Sequence, residues 1–286
     1  MSAHLVIHDG NPWWVSPDIW VVPGNDPNGP PGSPIAGMSN FLWARVSNTG
    51  STGVNGARID FYWANPSAAV VVGVATFIGS AFVDLAPGAT QEALCLVPWH
   101  PVIVNGGHEC VLAVVHGAGD TNPIPNPLPN GYPFDPPSHD QIAQVNLSVL
   151  VASMRGMPQT IFVHALPRQD KLAHVSVEIG GEIDEQVLAN LGLKGLVPAR
   201  REGVKVGLGR TPTCDEPNAT RELRLEVPRG GTVPVFVHLQ AEQLPHGQYQ
   251  LVHIVERDEN RVVGGVSYAI VSNGQHHEQH TKEQAA

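Results

Sequence analysis

Thirty glycines and 26 prolines in 286 residues make about one position in five a turn-former or helix-breaker. Long helices tolerate neither residue in their interiors, so bundles and coiled coils are excluded. The glycines keep no three-residue period, which excludes a collagen-like chain. Charged residues amount to 15 % and the hydrophobic set to 42 %, the reverse of the charge-rich, apolar-poor composition of disordered chains. What remains is a β-rich globular chain with many turns, long enough for two domains.

Strand patterns fill the first half. Asp18–Val22 is a short β run before a Pro/Gly loop, and Asn40–Asn48 mixes aromatic and branched residues before the turn signal Asn48-Thr49-Gly50. Along Ala57–Trp63 the residues alternate, with Ile59, Phe61 and Trp63 on one face and Arg58, Asp60 and Tyr62 on the other. Val70–Phe77, Ala81–Leu85, Ala93–Val97 and Glu109–His116 continue the series. A stretch with seven prolines follows between Gly117 and Pro137, a long loop or a polyproline excursion. His139–Leu150 reads as a strand returning after it. Short strands at this spacing, punctuated by Gly and Pro, indicate a sandwich of antiparallel sheets.

The second half repeats the pattern in Gln159–Ala165, Ala173–Ile179, Val204–Leu208, Glu222–Val227, Thr232–Leu239, Gln248–Glu256 and Arg261–Val271, with a hairpin turn at Asp258–Arg261. One helix interrupts: Ile183, Val187, Leu188 and Leu191 share a face, with acids early and Lys194-Gly195 late. The expected architecture is all-β: two consecutive immunoglobulin-like β-sandwiches over residues 12–151 and 152–274, one short helix in the second, and a disordered polar tail over 275–286.

Charge divides the chain in the same way. Through Leu150 two basic residues, Arg45 and Arg58, face ten acidic ones; beyond it 14 face 16, and all six tryptophans lie in the first hundred residues. With a net charge of −10 and no basic stripe, neither nucleic acid nor an anionic membrane surface is an expected partner. Nothing near Met1 reads as a signal peptide, and Ala68–Leu85, the most apolar stretch, is broken by Gly73, Gly79, Ser80 and Asp84. No membrane insertion is expected, and the chain reads as cytoplasmic, exported without a leader, or a mature form.

Motifs with chemistry are sparse. Cys95 and Cys110 lie on two apolar runs separated by a turn-rich stretch; were these a hairpin, the thiols could meet as a disulfide, and otherwise they are two small buried hydrophobes. Cys214 stands apart, and no Cys-x-x-Cys exists to hold zinc. His108-Glu109 lacks a second histidine ligand, and His276, His277 and His280 sit in the tail without preformed geometry. The loops at Asn25–Gly29 and Asp120–Asn122 carry calcium-type oxygens but no EF-hand spacing, and Asp and Asn favour turns in any case. No nucleophile elbow, dinucleotide fingerprint or phosphate loop is present. No metal, cofactor or catalytic residue is therefore assigned. Trp13, Trp14 and Trp20 form the best candidate contact surface, either stacking on sugar rings or docking a partner, and otherwise closing the end of a sandwich core.

Asn40-Phe-Leu-Trp-Ala-Arg-Val-Ser-Asn-Thr-Gly50, Gly56-Ala-Arg-Ile-Asp-Phe-Tyr-Trp-Ala64, Pro98-Trp-His-Pro101 with Gly107-His-Glu-Cys-Val-Leu-Ala113, and His139–Val149 together resemble bacterial CARDB-type immunoglobulin-like domains. The resemblance spans Asp18 to Leu150; the second half is only loosely similar to another β-sandwich. It implies an adhesion, spacer or accessory module. The expected function is a non-catalytic interaction protein that docks partners or self-assembles through sandwich edges and Pro-rich loops. Two alternatives stand beside it: a carbohydrate-binding adhesin using exposed Trp, and the accessory module of a separately encoded hydrolase.

Overall fold

The alternation along Ala57–Trp63 is the seed of the first core. Ile59 and Phe61 are wholly buried on one face, while Asp60 on the other accepts a hydrogen bond from Ser80 Oγ at 2.6 Å. The structure is a computed structural model that describes residues 2–67, 69–101, 109–200, 203–212, 220–242 and 244–272. His108, Cys214, His276, His277, His280 and the tail over 275–286 lie outside the described residues.

The chain divides into two compact units: Met1–Asn65, Val70–Asn146 and Ala189–Leu191 form the first, and Pro66–Ala69, Leu147–Leu188 and Gly192 onward the second. In the first, the strands are β1 (Leu5–Val6), β2 (Ile19–Pro23), β3 (Asn40–Asn48), β4 (Val54–Ala64), β5 (Thr76–Leu85), β6 (Thr90–Trp99), β7 (Cys110–His116) and β8 (Ile142–Val145). One antiparallel sheet has β3 at its centre, with β1 and β2 on one edge and β6 on the other. The second sheet runs β5–β4–β7–β8. Leu42 and Val46 from one sheet meet Ile59, Phe61 and Val115 from the other, and each large side chain so buried contributes about 1.5–3 kcal/mol.

The second sheet carries buried apolar side chains on both faces. Every residue of β7 is buried. Ala113 and Val115 face the sandwich core, whereas Leu112 and Val114 join a separate cluster with Ile142, Val70, Ile124 and Phe134. Ile124 and Phe134 come from the Pro-rich stretch. That stretch is thus a cover for a second apolar face. Val70, read as the start of a strand, belongs to the same cover: the strand begins at Thr76, and the backbone from Val70 to Val72 bonds to Tyr132 and Phe134 instead.

The second unit contains β9 (Leu147–Val151), β10 (Met157–His164), β11 (Lys171–Ile179), β12 (Val197–Pro198), β13 (Val204–Gly209), β14 (Glu222–Val227), β15 (Thr232–Ala241), β16 (Gln248–Asp258) and β17 (Arg261–Val271). Its sheets are β10–β15–β13 and β14–β11–β16–β17–β9, with β12 alongside β16. Between them lies a core that includes Ile161, Val163, Leu208, Val235, Val237, Val175, Ile254 and Tyr268. The described residues are therefore all-β apart from a 3-10 turn and one short helix, α1 (Glu185–Asn190), capped by Asp184 Oδ1 accepting from the Gln186 N–H at 2.7 Å. The single strand read over His139–Leu150 is two. It breaks at buried Asn146, and Leu147–Val151 pairs in parallel with β17.

Asn48, the first residue of the expected turn, is a buried node. Its Oδ1 accepts from the His4 and Gly50 N–H groups at 3.2 and 3.1 Å, and its Nδ2 donates to the Thr52 and Leu85 carbonyls at 2.9 and 3.3 Å. A primary amide supplies two donors on one atom and a two-lone-pair acceptor on the other, which a hydroxyl or an imidazole does not. Asn48→Ala should therefore lower the unfolding free energy of the first unit by roughly 2–4 kcal/mol, read from the denaturant midpoint.

The Asp258–Arg261 turn forms a two-residue hairpin in which Glu259 sits at φ 53°. A residue with a Cβ is strained there; Gly removes the strain, and Asn tolerates it better than Glu does. Glu259→Gly should raise stability by about 0.5–1 kcal/mol, seen as a higher Tm in calorimetry.

Candidate functional site

β5 and β6 are the outer strands of the two sheets of the first unit. Among the described residues β5 pairs only with β4, and β6 only with β3. They meet where Gly79 of β5 lies against β6: a Cβ there would stand 2.8 Å from Val97 Cγ2 and 2.9 Å from Cys95 Sγ. This approach explains the glycine, which an isolated reading of Thr76–Leu85 would have counted as a strand-weakening residue.

Pleating sends Ala81 and Leu85 inward and leaves Phe82 outside, 65 % exposed. On β6, Ala93 and Cys95 are buried, while Leu96 is 73 % exposed and Val97 47 %. Phe77, 53 % exposed, packs edge-on against Tyr62 with ring centroids 5.5 Å apart. Four large apolar side chains are thus exposed along these two outer strands. Edge strands are usually guarded by charge. Here the charges on the two strands are engaged elsewhere: Asp84 Oδ1 accepts from the Gly56 N–H at 2.7 Å, and Glu92 is bound by Arg45 at 3.1 Å.

Of the sequence-predicted candidates only Cys95, buried against Gly79, belongs to these two strands. Cys95 is in β6, opposite Leu42, and Cys110 in β7, opposite Ala64. They belong to different sheets, because β6 pairs with β3 and the chain crosses over before β7. The hairpin that would have brought them together does not form, and both are free, buried thiols. Burial pushes the Cys110 thiol above its ordinary value.

Trp14 is buried, with Trp13 edge-on to it at 5.4 Å. Trp20 is half-buried: its ring stacks on Trp43 at 5.8 Å, and the Arg45 guanidinium stands 5.5 Å from its centroid. Trp43 Nε1 donates to the Pro27 carbonyl at 2.9 Å, which ties the first Pro-rich loop down. These rings mainly pack on one another. The calcium-type loops use their carboxylates as turn acceptors, Asp26 from the Asn28 N–H and Asp120 from the Asn122 N–H. No group of three or more His, Cys, Asp or Glu among the described residues is arranged to hold a metal. None of the helices among them is long and apolar enough to cross a membrane.

One constellation escapes a sequence reading altogether. In the second unit Ser67 Oγ lies 2.9 Å from His164 Nε2, and His164 Nδ1 lies 2.7 Å from Thr232 Oγ1. A Ser–His couple is the start of a nucleophile. Here Ser67 is 0 % exposed, and the third member is a neutral hydroxyl, not a carboxylate able to stabilise an imidazolium. Burial, reinforced by the positive charge of Lys171, pushes His164 down to about 4. The trio holds the Pro66–Ala69 segment to β10, together with the Phe162 N–H to Pro66 carbonyl bond at 2.8 Å.

No family model matches the chain, and no curated protein matches it. Solved structures give distant likenesses. The CARDB domain of a Pyrococcus furiosus protein, solved in complex with di-metal ions, is 14 % identical over 50 % of this chain and 85 % of that one, with a TM-score of 0.28. The CupB6 tip adhesin of Pseudomonas aeruginosa is 8 % identical over 94 % and 99 %, with a TM-score of 0.25. Red sea bream transglutaminase is 10 % identical over 89 % of this chain and 31 % of that one, also at 0.25. None is close enough to carry an activity, and the CARDB resemblance extends no further than a distant structural likeness.

The depressed His164 has a pH consequence. The unfolded chain protonates it near 6.5 and the fold near 4, so between those values the unfolded state binds the extra proton. Stability is complete above the window and lost as pH falls through it. From about pH 7.5 to about pH 5 this costs on the order of 2 kcal/mol. His116 and His253 are lowered by burial as well, so the readout is a comparison: His164→Asn should flatten the pH dependence of urea unfolding relative to the natural chain.

Proposed function

We propose that this protein is a non-catalytic interaction module that associates through the β5–β6 margin of its first unit. The observation that carries the reading is the exposure of Phe77, Phe82, Leu96 and Val97 along two outer strands. Apolar side chains of this size, exposed on edge strands, gain most when a second surface or an added strand covers them. The Pro-rich stretches give this reading less support than their composition suggested, because Ile124, Phe134 and the Pro27 carbonyl are already committed within the unit. Sugar stacking is likewise weakly supported, since Trp14 is buried and Trp20 is engaged by Trp43 and Arg45.

Self-association is the first form to test. In size-exclusion chromatography with light scattering, the natural chain should show a mass that rises with concentration. Phe82→Asp with Leu96→Asp should hold it at one chain and leave the Tm within a few degrees, since both side chains are exposed. A natural chain that stays monomeric at all concentrations removes self-assembly and leaves only docking of a different partner.

A further inference from the structure

The second unit contains a buried pair that its apolar core does not explain. Lys171 stands on the same face of β11 as the core residues Ala173 and Val175, and Glu256 on the same face of β16 as Val252 and Ile254. Glu256 is 0 % exposed, and Lys171 Nζ is in contact with its Oε1. On its other side Nζ donates to the His164 carbonyl at 3.3 Å, which fixes its position.

Kept ionic, the pair is badly provided for. Both carboxyl oxygens of Glu256 lack a well-formed hydrogen bond among the described residues, and a buried carboxylate with a single partner costs several kcal/mol. Burial and the nearby charge of Asp258 push the proton affinity of Glu256 up, against the pull of Lys171. Transfer of one proton from Nζ to the carboxylate would leave a neutral acid beside a neutral amine, the form in which an amine is a nucleophile. Gly264 and Gly265 oppose Glu256 and Val255 on β17, so the position directly across from Glu256 carries no side chain.

We propose that Lys171 and Glu256 condense to an intramolecular amide that cross-links β11 to β16. The Nζ lone pair attacks Cδ of the Glu256 carboxyl, the C–N bond forms, and one C–O bond breaks. The departing oxygen leaves as water, carrying the carboxyl proton and one amine proton; nothing is oxidised or reduced and no other reactant is needed. Folding supplies the proximity, which for well-placed groups replaces a very high concentration of either reactant. Lys171 keeps 13 % of its side chain exposed, so the water has a path out. Both charges disappear from the core in one step, and burial, the larger cause of the depressed His164, persists without the charge of Lys171.

Intact-mass spectrometry of the purified full chain decides the matter without any variant. The folded protein should be lighter than its sequence by the mass of one water. A tryptic digest should lack cleavage after Lys171 and yield a branched peptide joining the segment with Lys171 to the one ending at Arg257. Lys171→Ala and Glu256→Ala should each restore the sequence mass. Should either fail to fold, the branched peptide from the natural chain still assigns the two residues. A natural chain that is folded by circular dichroism, keeps its full sequence mass after prolonged incubation and is cut normally after Lys171 overturns the proposal. The outcome is independent of the association test, because mass does not report on the β5–β6 margin.

Discussion

A sheet that is apolar on both faces has to be covered twice, and much of the first unit follows from that. Leu112, Val114 and Ile142 turn away from the sandwich core toward what would be solvent in a simple two-layer domain. The chain answers with a third layer made of loop. A stretch built on prolines suits this use: ordering it costs little backbone entropy because the rings fix φ beforehand. Ile124 and Phe134, with Leu128 and Tyr132 partly buried beside them, anchor it over the sheet.

The same constraint sets what was legible in the sequence. Period-two alternation identified the inward residues Ile59 and Phe61 and the outward Asp60, because a half-buried strand writes its orientation into its pattern. The Asp258–Arg261 hairpin was legible for a similar local reason. Where both faces are buried the pattern vanishes, and Val70–Phe77 looked like a strand when half of it is cover. Leu147–Val151 continued an apolar run without a break, and only Asn146 marked its change of sheet. Strand pairing is a long-range choice, so the partners of Cys95 and Cys110 were beyond any local reading.

The site fared less well than the fold. Alternation shows that Phe82 and Leu96 face away from the core, but not that nothing covers them. Tryptophan content drew attention to Trp13, Trp14 and Trp20, yet their rings are spent mostly on each other and on Trp43. Ser67 and His164 come together across 97 positions, and Lys171 reaches Glu256 across a comparable separation. Neither pair carries a local signal. What the sequence did offer was a scarcity of charge, which leaves apolar edges unguarded and buried charges conspicuous.

The parallel pairing of β9 with β17 has a mechanical meaning. β9 is the first strand of the second unit and β17 its final described strand, with Leu147 opposite Ser267 and Val151 opposite Val271. Tension applied where the chain enters and leaves this pair would pull the two strands in opposite directions along their length. The hydrogen bonds between them would then bear the load together, in shear, instead of opening one after another like a zip. A module that attaches at one unit and is tethered through the other would yield abruptly and late, as a clasp does, and not by gradual fraying.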